Sequence, residues 1–339
     1  MTNSSTPYQP PRYQPPWFAG NGHLQAALSS STLRRQKLWK RVSPWFDYTS
    51  DWTLDAGNGV RLTGCLTPNP GANSNTLVIV FHGWEGSVNS NYVISTSACL
   101  LEAGFDVFRL NFRDHGDSYG LNRGIFNSSL IEEVRTAVAK IQTGTEYTHY
   151  ALMGFSLGAN FALRVGLGAE LLPKALLGIY AVCPVLDPAH TTAVLEKAPF
   201  WYEGYFVRKW KRSLAIKAEL YQEYNYQRPL KKMRRLRQMN DFFIPRYTPF
   251  KSVADYFQSY TLTGQKLSLL RTPTQILAAG DDPVIPVSDF SKIARPQSLQ
   301  VNLQPHGSHC AFLQSLSGSS WADEQARDYF LALGKNAQS

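Results

Sequence analysis

Cysteine and long apolar runs are scarce in this sequence. Its 339 residues include four cysteines, Cys65, Cys99, Cys183 and Cys310, and no pair of them has CxxC spacing. We therefore expect neither a metal site nor a disulfide framework, and we interpret the cysteines as buried thiols in a reducing compartment, the cytoplasm. No apolar run approaches the roughly 18 residues that span a bilayer. The N-terminus also lacks the basic and apolar regions of a signal peptide.

Acidic residues are scarce in one segment. The chain has 34 Lys and Arg against 25 Asp and Glu, a net charge of +9. Residues 191–260 hold 14 of the basic residues and six of the acidic ones, so almost the whole excess lies there. This asymmetry predicts that the segment is a separate unit of the protein.

Short β-rich runs alternate with helical stretches through most of the chain. The patterns predict strands over residues 59–66, 76–82, 105–111, 148–153, 175–183, 273–279 and 298–303, and helices over 91–103, 128–142 and 156–166. Such alternation requires right-handed crossovers, so we predict an α/β fold whose mostly parallel central sheet is flanked by helices.

The alternation stops near residue 186, and this break divides the chain. Residues 186–265 are aromatic, basic and helix-prone. We expect them to form a helical cap at the carboxyl edge of the sheet, where open α/β sheets bind ligands. Residues 16–185 and 266–339 then form the core. Residues 1–15 are rich in Ser, Thr, Pro and Gln and predict a disordered tail.

Gly154-Phe155-Ser156-Leu157-Gly158 is a GxSxG motif between a predicted strand and a predicted helix. In this context the motif forms a strained turn that exposes the serine hydroxyl at the positive end of the helix. Small residues are needed on both sides because the turn is tight. The sequence therefore predicts Ser156 as a nucleophile.

Serine needs a base, and two histidines follow the last predicted strand. His309 lies deeper in that loop than His306, so we favour it as the general base. The order Ser, acid, His places the acid after the penultimate strand, where Asp281 and Asp282 are adjacent. We favour Asp282 because of its spacing to Pro286, and we interpret Asp281 as a turn residue.

Two backbone N–H groups should stabilise an oxyanion. One is that of Leu157, which follows the nucleophile, and the other is that of Trp84 in the HGWEG loop, residues 82–86. We expect His82 to brace this loop. The run 113–118 contains Asp, His and Asp, but we interpret it as a charged turn rather than as a metal site.

Several motifs together carry a family resemblance. They are Pro16-Trp17, Asn21-Gly22-His23-Leu24-Gln25, His82 through Ser87, Asn91-Tyr92-Val93, Leu110-Asn111-Phe112-Arg113, the GxSxG motif, Asp281-Asp282-Pro283 and the loop around His309. On these motifs, residues 17–315 resemble the YheT-like branch of the α/β-hydrolases, relatives of esterases of medium-chain lipids. Ala159, Ser308 and Asp114-His115 depart from the family pattern, but none of these changes removes a catalytic group.

The resemblance implies a serine esterase or lipase-like enzyme that uses Ser156, Asp282 and His309 on short- to medium-chain acyl esters or lipids, without cofactor. Acyl transfer to an alcohol on the same triad is one alternative. A non-enzymatic module that binds partners through the basic cap is the other.

The basic cap predicts a further contact. Residues 231–237, KKMRRLR, follow several aromatic residues, and this combination suits a peripheral contact with an anionic membrane. A solvated helix face is the competing interpretation. We expect no nucleic-acid partner, because no recognition motif accompanies the charge.

Overall fold

Eight strands form one sheet in the computed structural model, which describes residues 8, 10–72 and 74–338. The strands are β1 (Ser50–Asp55), β2 (Arg61–Thr67), β3 (Thr76–Phe81), β4 (Asp106–Leu110), β5 (His149–Phe155), β6 (Leu176–Val182), β7 (Thr274–Ala279) and β8 (Leu299–Gln304). The helices are α1 (Gly22–Ser29), α2 (Thr32–Phe46), α3 (Asn91–Glu102), α4 (Ile131–Thr143), α5 (Leu157–Gly166), α6 (Pro188–Lys197), α7 (Phe200–Leu220), α8 (Gln227–Lys232), α9 (Leu236–Tyr247), α10 (Val253–Tyr260) and α11 (Trp321–Gln338).

The sheet has the order β1-β2-β4-β3-β5-β6-β7-β8. Strands β1 and β2 run antiparallel to their neighbours, and all the other pairings are parallel. The central strands are buried apolar runs because helices cover both faces of the sheet. This architecture confirms the predicted fold class.

Strand β1 and helices α1 and α2 were absent from the prediction. Only Leu54 is buried in β1, so the strand lacks the alternation that marks a half-buried edge strand. Helix α2 contains Pro44 and buries little more than Arg34, Leu38 and Val42. Strand β1 is held by its pairing with β2, whereas α2 packs on α3, which is distant from it in sequence.

Helices α6–α10 connect β6 to β7, and we call residues 188–260 the helical insertion. Its apolar side chains, among them Leu214, Tyr226, Met239 and Phe243, are buried and belong to the same hydrophobic cluster as the sheet. A buried ion pair of 2.8 Å between Lys217 Nζ and Asp114 Oδ1 joins α7 to the loop after β4. Charge pairs this deeply buried hold their partners in one geometry.

The N-terminal segment is ordered where the structure describes it. Tyr13 is only 2% exposed, and its hydroxyl donates to the Leu313 carbonyl oxygen at 2.7 Å. The prediction of a disordered tail over residues 1–15 is therefore wrong for the part around Tyr13, because an aromatic ring fills a space in the core. Residues 1–7 and 9 lie outside the described ranges. Over the described ranges, no helix has the length and apolar character needed to cross a membrane.

Candidate active site

Ser156 lies at the sharp turn between β5 and α5. Its φ of 54° is in the left-handed region, which a serine adopts only where the surrounding fold imposes it. A Cβ atom at Gly154 would collide with the Gly158 carbonyl, and one at Gly158 would collide with the His82 carbonyl. The two glycines therefore allow the close approach that this turn requires, as the sequence predicted.

The three residues predicted as nucleophile, base and acid form one hydrogen-bonded chain. His309 Nε2 lies 3.0 Å from Ser156 Oγ, and His309 Nδ1 lies 2.9 Å from Asp282 Oδ2. The other carboxylate oxygen of Asp282 accepts the backbone N–H groups of Val284 at 2.8 Å and Ile285 at 2.9 Å. The Asp282 side chain is 2% exposed, so its orientation is fixed by these contacts.

The competing residues Asp281 and His306 lie outside this chain. Asp281 Oδ1 accepts the backbone N–H of Ser308 at 2.8 Å, so this carboxylate supports the loop that carries His309. The His306 side chain is 47% exposed, and its nearest carboxylate is Asp281 at 3.5 Å. Neither residue reaches Ser156 by a hydrogen bond.

The pKa of His309 is raised by the groups around it. Burial is the largest single effect and would lower the pKa of His309, but the charges of Asp282 and Cys310 and the hydrogen bond to Asp282 together raise it from 6.5 to about 9. The cationic form of the imidazole is thus favoured by an anion at hydrogen-bond distance. An imidazole in this setting is a strong proton acceptor.

The loop after β3 lies beside Ser156. A Cβ atom at Gly83 would be 3.4 Å from Ser156 Cβ, and the Gly83 N–H donates to the Tyr92 hydroxyl at 2.9 Å. Among the described residues, no group accepts a hydrogen bond from the backbone N–H of Trp84 or of Leu157. These are the two donors predicted for an oxyanion, and both remain free to bind one.

His82 braces this loop, in agreement with the sequence interpretation. Its Nδ1 lies 2.7 Å from the Gly83 carbonyl oxygen, and its Nε2 accepts the Phe112 N–H at 3.2 Å. Burial and the nearby His115 lower the pKa of His82 well below its ordinary value, so the ring is neutral. A neutral, doubly bonded ring of this kind is a structural element.

Sequence reasoning missed a second set of residues that holds the same loop. Glu85 has a φ of 57°, and its N–H donates to His115 Nε2 at 3.1 Å. Its carboxylate accepts the Ser213 hydroxyl of α7 at 2.6 Å, and its carbonyl oxygen accepts Lys209 Nζ at 3.2 Å. Burial raises the pKa of Glu85 to about 7. In the sequence, the only sign of this set was the glutamate between Trp84 and Gly86. Nothing near it in sequence showed that Ser213 and Lys209 of α7 are its partners.

Ser156 and His309 line a cavity of about 1310 Å³. Its walls come from α1, α2, the loop after β3, the loop over residues 116–120, and one face of α7. Helices α1 and α7 meet at its edge, where His23 Nδ1 lies 2.7 Å from the Tyr202 hydroxyl. A cavity of this size accommodates a substrate larger than most drug-sized ligands.

One group of side chains in the described ranges could ligate a metal ion. The ligating atoms of Cys183, His309 and Cys310 lie within 4.8 Å of one another. Both nitrogens of His309 are already engaged with Asp282 and Ser156, so a metal ion here would break one of those hydrogen bonds. The residues therefore fit the hydrogen-bonded chain better than they fit a resident metal. The charged turn at 113–118 is also engaged, since Asp114 pairs with Lys217.

The basic run 231–237 lies at the junction of α8 and α9, outside the cavity. Arg235 pairs with Glu203 at 2.7 Å, and Arg237 is 4.0 Å from Asp241. Four of the aromatic residues that precede the run, Trp201, Tyr202, Tyr205 and Phe206, line the cavity, and Trp201 and Tyr205 are 53% and 43% exposed. The run itself is not part of the cavity lining, although Arg235 contacts α7 at Glu203.

Comparisons with known proteins agree with this architecture. The family model described as "Serine aminopeptidase, S33" matches residues 72–314, which include Ser156, Asp282 and His309. The chain is 26% identical to the esterase YheT of Escherichia coli (strain K12) over 320 residues, which cover 91% of this chain and 90% of that protein.

A yeast protein and an archaeal structure extend the comparison. The monoacylglycerol lipase of Saccharomyces cerevisiae is 22% identical over 322 residues, which cover 90% of this chain and 70% of the lipase. A solved esterase of Pyrococcus furiosus superposes with a TM-score of 0.55 at 18% identity and covers 98% of both chains. At this identity the superposition shows a shared fold.

Proposed function

The chain belongs to the serine aminopeptidase S33 family of α/β-hydrolases, and from that membership and the geometry at Ser156 we propose that it hydrolyses carboxylic esters through an acyl-enzyme. One observation carries the proposal, the chain of hydrogen bonds from Asp282 through His309 to Ser156 at the wall of a large cavity. The relatives named as an esterase and a lipase favour an ester over other acyl substrates.

The first half of the reaction forms the acyl-enzyme. Ser156 Oγ attacks the ester carbonyl carbon while His309 Nε2 takes the hydroxyl proton. Asp282 holds the ring in the tautomer that presents an unprotonated Nε2 and stabilises the imidazolium that forms. The backbone N–H groups of Trp84 and Leu157 bind the oxyanion, and His309 then protonates the leaving alcohol.

The second half releases the acid. His309 takes a proton from water, the resulting hydroxide attacks the acyl carbon, and Ser156 leaves with the proton that His309 returns. We propose that the helical insertion acts as a cap, because α7 covers the Trp84–Glu85 loop and lines the cavity. The cavity has room for acyl esters of short to medium length, the chain length that the family resemblance implies.

Labelling and hydrolysis test the proposal together. A fluorophosphonate probe should modify Ser156 in the wild-type protein, and peptide mass spectrometry should locate the adduct. A series of p-nitrophenyl esters of rising chain length should show turnover with a maximum at short or medium chains. Labelling without turnover of any ester would contradict the assignment as an ester hydrolase. An adduct on another residue would contradict the role of Ser156 as the nucleophile.

A further inference from the structure

One face of α7 forms a wall of the cavity. The residues on this face recur at the three- and four-residue spacing of a helix, at positions 205, 208, 209, 212, 213, 216 and 220. The face changes character along its length. Ile216 and Leu220 make its C-terminal part apolar, whereas Arg208, Lys209 and Arg212 make its middle part basic. The cavity therefore presents an apolar wall and a cationic wall on one helix.

The basic residues of α7 fall into two groups. The two outside the cavity lining both have partners: Lys217 pairs with Asp114, and Lys211 Nζ donates to the carbonyl oxygens of Lys231 and Met233 at 3.2 Å each. Among the described residues, Arg208 and Arg212 form no ion pair with a carboxylate, although both line the cavity. The unpaired cations are thus concentrated where a ligand would bind.

The acidic residues of the cavity offset little of this charge. Glu85 and Asp117 are the carboxylates that line it. Burial raises the pKa of Glu85 to about 7, and its carboxylate already accepts the Ser213 hydroxyl. Lys209 is held by the Glu85 carbonyl oxygen and lies over the Tyr205 ring at 5.4 Å. On α7, Arg208 and Arg212 are therefore the cavity-lining cations with free donors, and Arg35 of α2 is a further lining cation without an ion pair in the described ranges.

The pair Arg208 and Arg212 is unfavourable for α7 itself. Like charges four residues apart on a helix repel each other and destabilise it slightly. A carboxylate between them would relieve the repulsion, but none pairs with either residue in the described ranges. An oxyanion bound between the two guanidinium groups would also relieve it, because each guanidinium can donate two parallel hydrogen bonds.

We propose that Arg208 and Arg212 form a binding site for an oxyanion that is part of the ester substrate, with a phosphate monoester as the favoured chemistry. This inference rests on the proposed ester hydrolysis and narrows its substrate class to anionic amphiphilic esters. The acyl chain lies against the apolar part of the α7 face while the oxyanion is held by the arginines. A planar guanidinium matches the oxygens of phosphate in two-point contacts, which favours phosphate over a neutral hydroxyl.

Binding to an inactive protein tests the site without requiring turnover. The ligands are three glycerol-based esters with one short acyl chain: a monoacylglycerol, its phosphate monoester, and the acylglycerate that carries a carboxylate. Calorimetry with Ser156→Ala protein should give tighter binding of the phosphate ester than of the neutral ester, with the carboxylate between them. The double substitution Arg208→Gln, Arg212→Gln should weaken phosphate-ester binding about tenfold and leave the neutral ester unchanged.

A charge-matched control separates this site from the overall positive charge. Lys231 and Lys232 are exposed and lie outside the cavity lining, so Lys231→Gln, Lys232→Gln removes the same charge elsewhere on the insertion. That variant should bind all three ligands as the parent does. Equal losses in the two double variants, or equal affinity for neutral and phosphate esters, would overturn the inference.

The same ligands keep this inference separate from the proposed function. If Ser156-containing protein hydrolyses the neutral ester and the arginine substitutions change neither selectivity nor affinity, the hydrolase assignment stands and the oxyanion site is wrong. If no ester is hydrolysed but the phosphate ester binds through Arg208 and Arg212, the oxyanion site is supported and the hydrolase assignment is wrong. Inorganic phosphate alone should compete weakly, since it lacks the acyl chain.

Discussion

The α/β core and the helical insertion contribute different physical properties to the same cavity. In the core, Ser156, Asp282 and His309 follow parallel strands, and each side chain is fixed by hydrogen bonds of about 3 Å or shorter. In the insertion, most of the groups that face the cavity are aromatic, cationic or aliphatic, and many of them are exposed. Arg208 and Trp201 are examples.

Several polar contacts join the regions near the site. Among them are the Lys217–Asp114 ion pair and the hydrogen bonds that Glu85 accepts from Ser213 and Lys209. On the proposed function, the core supplies the reacting groups, and the insertion supplies part of the wall that contacts the substrate. Substitutions in the core should therefore change whether the reaction occurs, and substitutions in the insertion should change its rate and its substrate.

The strongest test of the core is Ser156→Ala. Alanine fits the turn but supplies no nucleophile, so ester hydrolysis should fall by several orders of magnitude while the melting temperature stays near that of the wild type. Turnover above about one per cent of wild type, in protein shown free of contaminating esterase, would contradict the role of Ser156.

The two adjacent aspartates provide the next test. Asp282→Asn should lower kcat by roughly 10³- to 10⁴-fold, because an amide stabilises the wrong tautomer of His309. Asp281→Asn is the matched control, and it should cost far less because its partner is the Ser308 N–H rather than the imidazole. A larger loss of kcat at position 281 would reverse the assignment of the acid.

The pH dependence follows from the raised pKa of His309. The base acts only when neutral, so kcat/KM should rise with pH and level off near the pKa of about 9. Well below that value the rate should fall about tenfold for each pH unit. Initial rates are measured after subtraction of the Ser156→Ala background at each pH. A plateau that begins near pH 6 would show that Asp282 does not raise the pKa.

A smaller effect should follow where the insertion meets the core. Glu85→Ala and Ser213→Ala each remove the hydrogen bond between α7 and the oxyanion loop, so each should lower kcat about tenfold. Glu85→Gln retains an acceptor oxygen and should recover most of the loss. Ser259→Ala, a serine substitution on α10 outside the cavity lining, is the control. If KM alone changes, the contact serves substrate binding rather than the oxyanion loop.

The outcome of sequence reasoning also differs between the regions. The core was predictable because its signals are local: buried strands read as apolar runs, and the GxSxG turn requires small residues at Gly154 and Gly158. The choice of Asp282 over Asp281 rested on spacing, and the structure places Asp282 beside His309. Edge strand β1 escaped prediction because only Leu54 is buried in it.

The contacts of the insertion were not predictable from local pattern. Its helical character followed from composition, but the partner of Glu85 lies 128 residues away and that of Asp114 lies 103 residues away. Charge density alone did not identify which cations line the cavity. The basic run 231–237 lies outside the lining, whereas Arg208 and Arg212, which belong to a second basic cluster at residues 208–212, line it.

The basic run at the α8–α9 junction is nevertheless exposed, and it remains a predicted contact with anionic membrane. Lys231, Lys232 and Arg234 are exposed. Each such charge near an anionic surface contributes on the order of 1 kcal/mol, which salt screens within a Debye length. The expected effect is small because it rests on three exposed charges.

Co-sedimentation with liposomes tests this contact and completes the comparison of the two regions. Wild-type protein should bind anionic vesicles more than neutral ones at low salt, and moderate salt should reduce the difference. The triple substitution to glutamine at Lys231, Lys232 and Arg234 should remove most of that difference without changing hydrolysis of a soluble ester.

Removing three charges from the core, at Lys140, Arg271 and Lys335, should leave binding nearly intact, because those exposed residues lie on other elements. If the two triple variants lose binding equally, net charge rather than the basic run carries the attraction. If wild-type protein binds neither vesicle type at low salt, the insertion makes no membrane contact, and its role is confined to covering the cavity.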